Sequence, residues 1–260
     1  MNILFIGDVV GKAGRDGVKK CLPKYRDLLN TDLIIANVEN SAGGAGITEK
    51  VYYELKETGI DVMTSGNHIW DQKDVFNFID SKPDLLRPAN YPDSATPGKG
   101  YYLCEFKNKK VAVLNLMGQV FMNDVNCPFQ CADILLEKIS AYNPNVIVVD
   151  FHAEATSEKQ AMGWYLNGKV AAVIGTHTHV QTNDQRILPE KTAYITDVGM
   201  TGNYNSILGV DVEGPMKRFV TKMPCSFKIS KGKVLFNAVL LKIGQDGGYA
   251  ISMETIREVL

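Results

Sequence analysis

The sequence predicts an α/β fold: a mixed sheet, or two stacked sheets, with helices on the outside. Three observations predict it. Short apolar runs alternate with helically spaced apolar residues through the first half of the chain. Hairpin signals appear only later. Polar motifs follow directly on five of the apolar runs, as ligand-bearing residues do at the carboxyl ends of strands in such folds.

Asn2 to Gly7 is a largely apolar run that fits a strand buried on both faces. Val18, Cys21, Leu22, Tyr25, Leu28 and Leu29 recur at helical spacing, and Pro23 among them predicts a broken or late-starting helix. Leu33 to Ala36 is a second strand, followed by the glycine-rich stretch Ser41 to Gly46. Thr48 predicts the N-cap of a helix ending near Thr58, without a capping box because Val51 stands three positions on. Asp61 to Ser65 reads as a third strand and Asp71 to Asp80 as a third helix. Lys82 to Gly100, rich in proline, asparagine and glycine, is a long loop.

Tyr101 to Phe106 and Val111 to Leu116 form a hairpin across the polar turn Lys107 to Lys110, and Gly118 to Gln130 is irregular. Helices near Ala132 to Tyr142 and Ser157 to Leu166 alternate with the strands Val146 to Val149 and Val170 to Ile174. The C-terminal third holds short strands, with a hairpin around Ser230 to Lys233. With no repeat or linker, residues 1–260 read as one domain.

The formal net charge of -1 carries no basic excess, which argues against duplex DNA or an anionic membrane as partner. Asp8 interrupts the N-terminal apolar run, which lacks a basic flank, so it is not a signal peptide. No stretch approaches the ~18 apolar residues of a membrane span. Cys21, Cys104, Cys127, Cys131 and Cys225 form no CxxC pair, which suits a cytoplasmic protein better than a disulfide framework. Cys127 and Cys131 lack the second pair that a zinc site would need.

The chain has four histidines, and all follow apolar runs. They fall in Gly66-Asn67-His68, Phe151-His152-Ala153-Glu154 and Gly175-Thr176-His177-Thr178-His179. Two further runs end in Gly7-Asp8 and Val38-Glu39-Asn40. Asp8, Glu39, Asn40, Asn67, His152, His177 and His179 are the set of imidazoles, carboxylates and amides that a pair of divalent metals requires. On an extended segment His177 and His179 point the same way, so each reaches one of two adjacent metals. Glu39 is a candidate shared carboxylate.

Two divalent cations set against Asp8, Glu39 and a bridging hydroxide leave a small positive balance, which suits an anionic phosphate. His68, next to Asn67, is the candidate proton donor for the leaving oxygen, a role typically worth ~10²–10⁴ in rate.

Other motifs carry less. Gly7 to Lys12 is a shortened P-loop that runs into Ala13 without the Ser or Thr that holds magnesium. Ser41 to Gly46 reads as a flexible turn before it reads as a phosphate cradle. Phe121 and Phe129 either stack on a base or pack on the core, and Trp70 and Trp164 read as packing residues.

Taken in order, Gly7-Asp8, Glu39-Asn40, GNH, His152 and GTHTH resemble the motifs of the calcineurin-like metallophosphoesterases. The first motif here is Asp8-Val-Val, without the usual histidine, and Glu39 stands where an aspartate is usual. With GDVVGKAGR, ANVENSAGG, GNHIWD and DVGMTG, these departures resemble the bacterial YmdB-like subgroup over nearly the whole chain.

The resemblance implies a four-layer α/β/β/α sandwich with mixed sheets, two divalent ions (iron, manganese or zinc), and phosphodiesterase activity on cyclic nucleotides, particularly 2',3'-cyclic and also 3',5'-cyclic. It assigns Asp8, Asn40 and His179 to one ion and Asn67, His152 and His177 to the other, with Glu39 between and His68 as acid. It implies substrate contacts along Thr201 to Ser206, with Asn203, Tyr204 and Ser206 as candidates beside Phe121. The competing readings are a phosphomonoesterase or protein phosphatase on the same centre, and a metal-binding regulatory protein with little turnover. The sequence leaves the oligomeric state open, a homo-oligomer included.

Overall fold

The computed structural model describes residues 1–92, 96–230, 232–244 and 248–260. The chain runs through β1 (Asn2–Ile6), β2 (Asp8–Val9), α1 (Gly11–Leu28), β3 (Leu33–Asn37), α2 (Glu49–Thr58), β4 (Val62–Thr64) and the 3₁₀ turns Asn67–Trp70, Lys73–Asn77 and Ile79–Ser81. There follow β5 (Tyr101–Phe106), β6 (Lys109–Met117), α3 (Pro128–Ser140), β7 (Val146–His152), α4 (Thr156–Tyr165), β8 (Ala172–Thr176), β9 (Arg186–Ile187), β10 (Ala193–Ile195), β11 (Met200–Asn203), α5 (Glu213–Thr221), β12 (Val234–Ile243) and β13 (Ala250–Val259).

The strands form two mixed sheets. One has the order β2-β11-β12-β1-β3-β4, with β13 also paired to β12; the other has the order β5-β6-β7-β8-β10-β9. The apolar runs of β1 and β3 serve two cores at once, because side chains alternate across a strand. Ile3, Phe5, Leu33 and Ile35 face the second sheet, where they meet Val111, Val113, Val148 and Ile174. Leu4, Ile6, Ile34 and Ala36 face outward onto Val18, Leu22 and Leu55 of α1 and α2. Leu114, Val149 and Phe151 in turn pack on Leu135, Ile139 and Met162 of α3 and α4. Three apolar layers separate four structural ones, giving an α/β/β/α sandwich. Among the described residues no helix is long and apolar enough to cross a membrane.

Several elements differ from expectation. The first helix is continuous from Gly11 to Leu28 with Pro23 inside it. Pro23 is exposed, so the carbonyl it leaves unbonded faces water while Val18, Cys21 and Leu22 bury the opposite face. In place of a helix over Asp71 to Asp80 there are 3₁₀ turns, broken where Phe78 leaves helical dihedrals. These turns let Val75, Phe78 and Ile79 enter the core while Trp70 stacks on Phe76.

The loop over Lys82 to Gly100 is partly sheet-like, since Leu85 bridges Met63 and Leu86 bridges Lys99; Asp93, Ser94 and Ala95 in it lie outside the described residues. The hairpin expected around Ser230 to Lys233 turns on Lys231, which lies outside the described residues. Its flanks pair elsewhere, Ile229 with Val210 and Val234 with Asn203. The C-terminal hairpin is instead β12 with β13, strands of ten residues each. The Thr48 cap forms as expected, its hydroxyl accepting from Val51 N–H at 3.3 Å.

Candidate metal centre

β1, β3 and β4 run parallel in one sheet, and β7 and β8 run parallel in the other. Their carboxyl ends meet at one rim. Asp8 opens β2, Glu39 and Asn40 follow β3, Asn67 and His68 begin the first 3₁₀ turn after β4, His152 ends β7, and His177 and His179 follow β8. The glycine of GNH is required by this convergence, because a Cβ on Gly66 would collide with the His152 ring and the Glu39 carboxylate.

His152 Nε2 lies 3.0 Å from His177 Nδ1, 3.1 Å from Asn67 Oδ1 and 3.1 Å from Glu39 Oε1. One ring nitrogen cannot satisfy three such neighbours with one proton. Its other nitrogen is already committed. Thr176 Oγ1 donates to Asp150 Oδ1 at 2.7 Å and therefore accepts from His152 Nδ1–H, 2.9 Å away.

A second acceptor pair stands beside the first. Asn40 Nδ2 donates to Gly44 O at 3.1 Å, which turns its Oδ1 toward His179 Nε2 at 3.3 Å. His179 Nδ1–H donates to Leu208 O at 3.0 Å, so Nε2 is the free nitrogen there too. Asp8 Oδ1 and Glu39 Oε1 are buried and accept no hydrogen bond from any described residue; Glu39 Oε1, though close to His152, is out of alignment. Buried lone pairs that converge without protons are what a cation satisfies.

The titration of His177 and His179 agrees; that of His152 does not, because without a cation the neighbouring carboxylates hold a second proton on its ring. Burial raises Asp8 well above the usual carboxylate range, despite the neighbouring His152. Burial would raise Glu39 as well, but His152 and the His68 amide bring it down to about 2. Burial alone would lower His152; Glu39 and Asp8 hold it up at about 9. His177 is pushed down to about 3 by burial and by His152, and burial also lowers His179, so both stand as neutral imidazoles.

The cluster opens into a cavity of 270 Å³ between Glu39, His68, Glu154, His177, His179 and Leu208. A larger cavity of 620 Å³ beside Arg87, Tyr101 and Lys138 has no converging donor set, and among the described residues only Glu39, His152 and His177 form one of three or more histidine, cysteine or acidic groups. Chemistry outranks size here. His68 sits at the mouth: its N–H donates to Glu39 Oε2 at 3.0 Å, and its Nδ1 lies 2.7 Å from Asp71 Oδ2.

The two histidines of GTHTH do not lie on an extended segment. His177 has φ 100° and His179 φ 65°, so the loop is bent at both and the two rings reach the rim by different routes. Nor do all the expected substrate contacts reach the cavity. Asn203 is buried, with Oδ1 accepting from Ser230. Ser206 Oγ donates to Asn203 O and accepts from Gly209 N–H within its turn. Tyr204 lies under Arg257, 5.8 Å away. All three serve the β11 turn. Phe121 is 88% exposed at the tip of the loop that starts at Gly118, whose N–H donates to His152 O.

The residues that support the cluster carry weaker signals in the sequence. Asp71 stands three positions after His68, one turn on, and Glu154 closes the FHAE motif with Oε2 3.1 Å from His177 Nε2. Lys159 and Asp197, both buried, meet at 2.7 Å behind the GTHTH loop. The spacing of Lys159 with Met162 and Leu166 marked it as lying on the apolar face of α4.

Two mixed sheets between helical layers, with this donor cluster at their shared rim, define a calcineurin-like phosphoesterase fold. The calcineurin-like phosphoesterase YfkN from Bacillus subtilis shares it with a TM-score of 0.58 at 15% identity, over 99% of this chain and 90% of that one. More narrowly, the chain belongs to the YmdB-like protein family, whose profile matches residues 4–256. It is 50% identical over 256 residues to the 2',3'-cyclic-nucleotide 2'-phosphodiesterase of Bacillus subtilis (strain 168), covering 98% of this chain and 96% of that protein. The crystal structure of a phosphatase from Mycoplasma pneumoniae matches with a TM-score of 0.94 at 37% identity, covering 100% of this chain and 93% of that one.

Proposed function

We propose that this single-domain chain is a metal-dependent phosphodiesterase that opens small cyclic nucleotides, 2',3'-cyclic ones first and 3',5'-cyclic ones second. The observation that carries the reading is the crowding of lone pairs around His152 Nε2, in a chain half identical to a 2',3'-cyclic-nucleotide phosphodiesterase. The donor set fits two divalent ions. Asp8, Asn40 and His179 would hold one, Asn67, His152 and His177 the other, with Glu39 between them; iron, manganese and zinc all tolerate such a mixed set. When bound, such ions supply charge neutralisation for the phosphate and acidify water for attack on phosphorus.

The chain's own residues do the rest. Glu154 and Leu208 O orient the rings of His177 and His179 through the nitrogens that face away from the donor cluster. As water adds to phosphorus, the bond to the ribose 2'-oxygen breaks and a 3'-phosphomonoester remains. His68 gives the leaving oxygen its proton, with Asp71 steadying the imidazole through Nδ1. Phe121, exposed three residues after Gly118, whose N–H donates to His152 O, is the candidate platform for the base. A cytoplasmic, reducing location fits the five free cysteines.

The test is the initial rate on 2',3'-cyclic AMP with manganese-loaded and chelated protein side by side. Chelator-sensitive ring opening supports the reading. Metal retained without turnover removes it. The phosphatase description of the Mycoplasma relative favours one alternative, hydrolysis of phosphomonoesters, and further conversion of the 3'-phosphate product in the same assay would reveal it.

A further inference from the structure

Beyond the metal cleft, the segment that carries α5 is a largely exposed, cation-rich surface. Residues 216–224 are all exposed, and α5 buries only Gly214 and Pro215. Among them Phe219 is 66% exposed, and Phe227 further on is 45% exposed. From Met216 to Lys233 the sequence holds six cations and no carboxylate, in a chain whose net charge is -1. Some exposed lysines elsewhere find acids, as Lys12, Lys24 and Lys242 do, whereas Lys19, Lys20 and Lys50 pair with none among the described residues. Lys217, Arg218, Lys222, Lys228 and Lys233 are exposed and pair with no acid among the described residues. Arg218 instead lies over the Phe227 ring, 5.6 Å from its centroid.

This surface adjoins the cleft. Leu208, whose carbonyl orients His179, lines the cavity, and α5 begins five residues later, within ~17 Å of chain. The returning segment is tied to the same rim: Asp211 N–H donates to Lys228 O at 2.7 Å, and Ile229 lies against the positions of Gly11 and Gly44, beside Asn40.

We propose that the segment Met216 to Ser230 binds single-stranded RNA whose 3' end, closed as a 2',3'-cyclic phosphate, enters the metal cleft. The proposal rests on the phosphodiesterase reading and extends its substrate from the mononucleotide to the polymer. A 2',3'-cyclic phosphate arises when a ribose 2'-hydroxyl attacks the neighbouring phosphodiester, so the reaction that supplies this substrate is RNA cleavage by transesterification. That reaction leaves the cyclic ester on a chain end. Unpaired cations beside exposed aromatic rings are the features that track a single strand, with phosphates on the cations and bases on the rings. The same cations would repel their own image across a two-fold axis, which disfavours a second copy as the occupant.

The test compares 2',3'-cyclic AMP with a short oligoadenylate ending in a 2',3'-cyclic phosphate, on the metal-loaded wild type and on the combined variant Lys217→Glu, Arg218→Glu, Lys222→Glu. Binding of a 5'-labelled oligoadenylate is followed by fluorescence anisotropy alongside. The expected result is a higher kcat/KM for the oligomer. The variant is expected to lose oligomer binding and turnover by about tenfold or more at low salt, with the oligomer's log affinity falling against log salt by ~0.7 per phosphate contact and the mononucleotide rate unchanged. Equal kcat/KM for both substrates, with unaltered anisotropy in the variant, overturns the proposal. So does a variant that changes only the oligomeric state, which would assign the face to a second copy. If the wild type hydrolyses neither substrate, the phosphodiesterase reading fails, while salt-sensitive binding lost in the variant still upholds the RNA surface and unaltered binding overturns it.

Discussion

Asp197 holds Thr178 twice: its Oδ2 accepts the Thr178 N–H at 3.0 Å and the hydroxyl at 2.7 Å. Thr178 is the residue between His177 and His179, so one buried carboxylate fixes the spacing of the two imidazoles. Lys159 Nζ reaches the same oxygen and also donates to Thr176 O, both at 2.7 Å, which ties α4 to the loop. Thr178→Val is expected to lower stability by ~1 kcal/mol, because Asp197 Oδ2 loses one of its three donors and keeps the other two. Asp197→Ala is expected to lose ~3–5 kcal/mol, since it strands the Lys159 charge. Urea unfolding of metal-free protein checks both, and two equal, near-zero changes would remove Asp197 from this role.

His68→Ala is expected to lower kcat by ~10²–10⁴ while metal content stays unchanged. Asp71→Asn keeps the side-chain shape but removes the carboxylate from His68 Nδ1, so its loss is expected to be smaller and in the same direction. Rates and elemental analysis on the same preparations separate a proton donor from a metal ligand. Unchanged turnover in His68→Ala takes the residue out of the mechanism.

Thr176→Val removes the hydroxyl that receives His152 Nδ1–H, without touching any donor atom at the rim. Metal affinity is expected to fall by ~10–100-fold, as when other partners that orient a ligating histidine are removed. Asp8→Asn is expected to cost occupancy directly. Competition with a chelator of known affinity measures both, and full occupancy in Asp8→Asn counts against Asp8 as a ligand.

Much of the arrangement was legible because its cause is local. The alternating cores of β1 and β3 read as unbroken apolar runs, and the polar residue ending each run was visible as a motif. What escaped depends on contacts distant in sequence. Pro23 signals a break only if its helix face is unknown; the buried Val18, Cys21 and Leu22 override it. The bend at His177 and His179 follows from Asp197, some twenty residues on, which no spacing within GTHTH encodes. Asn203 was expected at the site because Thr201 to Ser206 resembles a site-lining loop of the family, yet its side-chain oxygen turns inward to Ser230.

Two of the five thiols are expected to resist alkylation. Burial raises Cys21 to about 11 and Cys104 to about 12, so at pH 8 each is a thiolate only about one part in a thousand or less. Cysteine-resolved labelling by mass spectrometry should find these two the slowest, with rates rising as pH climbs toward those values. Rapid labelling of Cys104 at pH 8 would contradict its placement on β5 against the inter-sheet core.

β12 lies between β1 and β11 in the first sheet and pairs with Asn2 to Ile6 residue by residue. On the ribosome, β1 can therefore find β3 early, but its other edge stays bare until Val234 to Ile243 have been made. Until then the strand that leads into Asp8 has one open side, a template for unwanted pairing. Order of synthesis thus sets order of assembly: the part of the rim that begins with Asp8 is the last to be framed, although it is among the first to be translated.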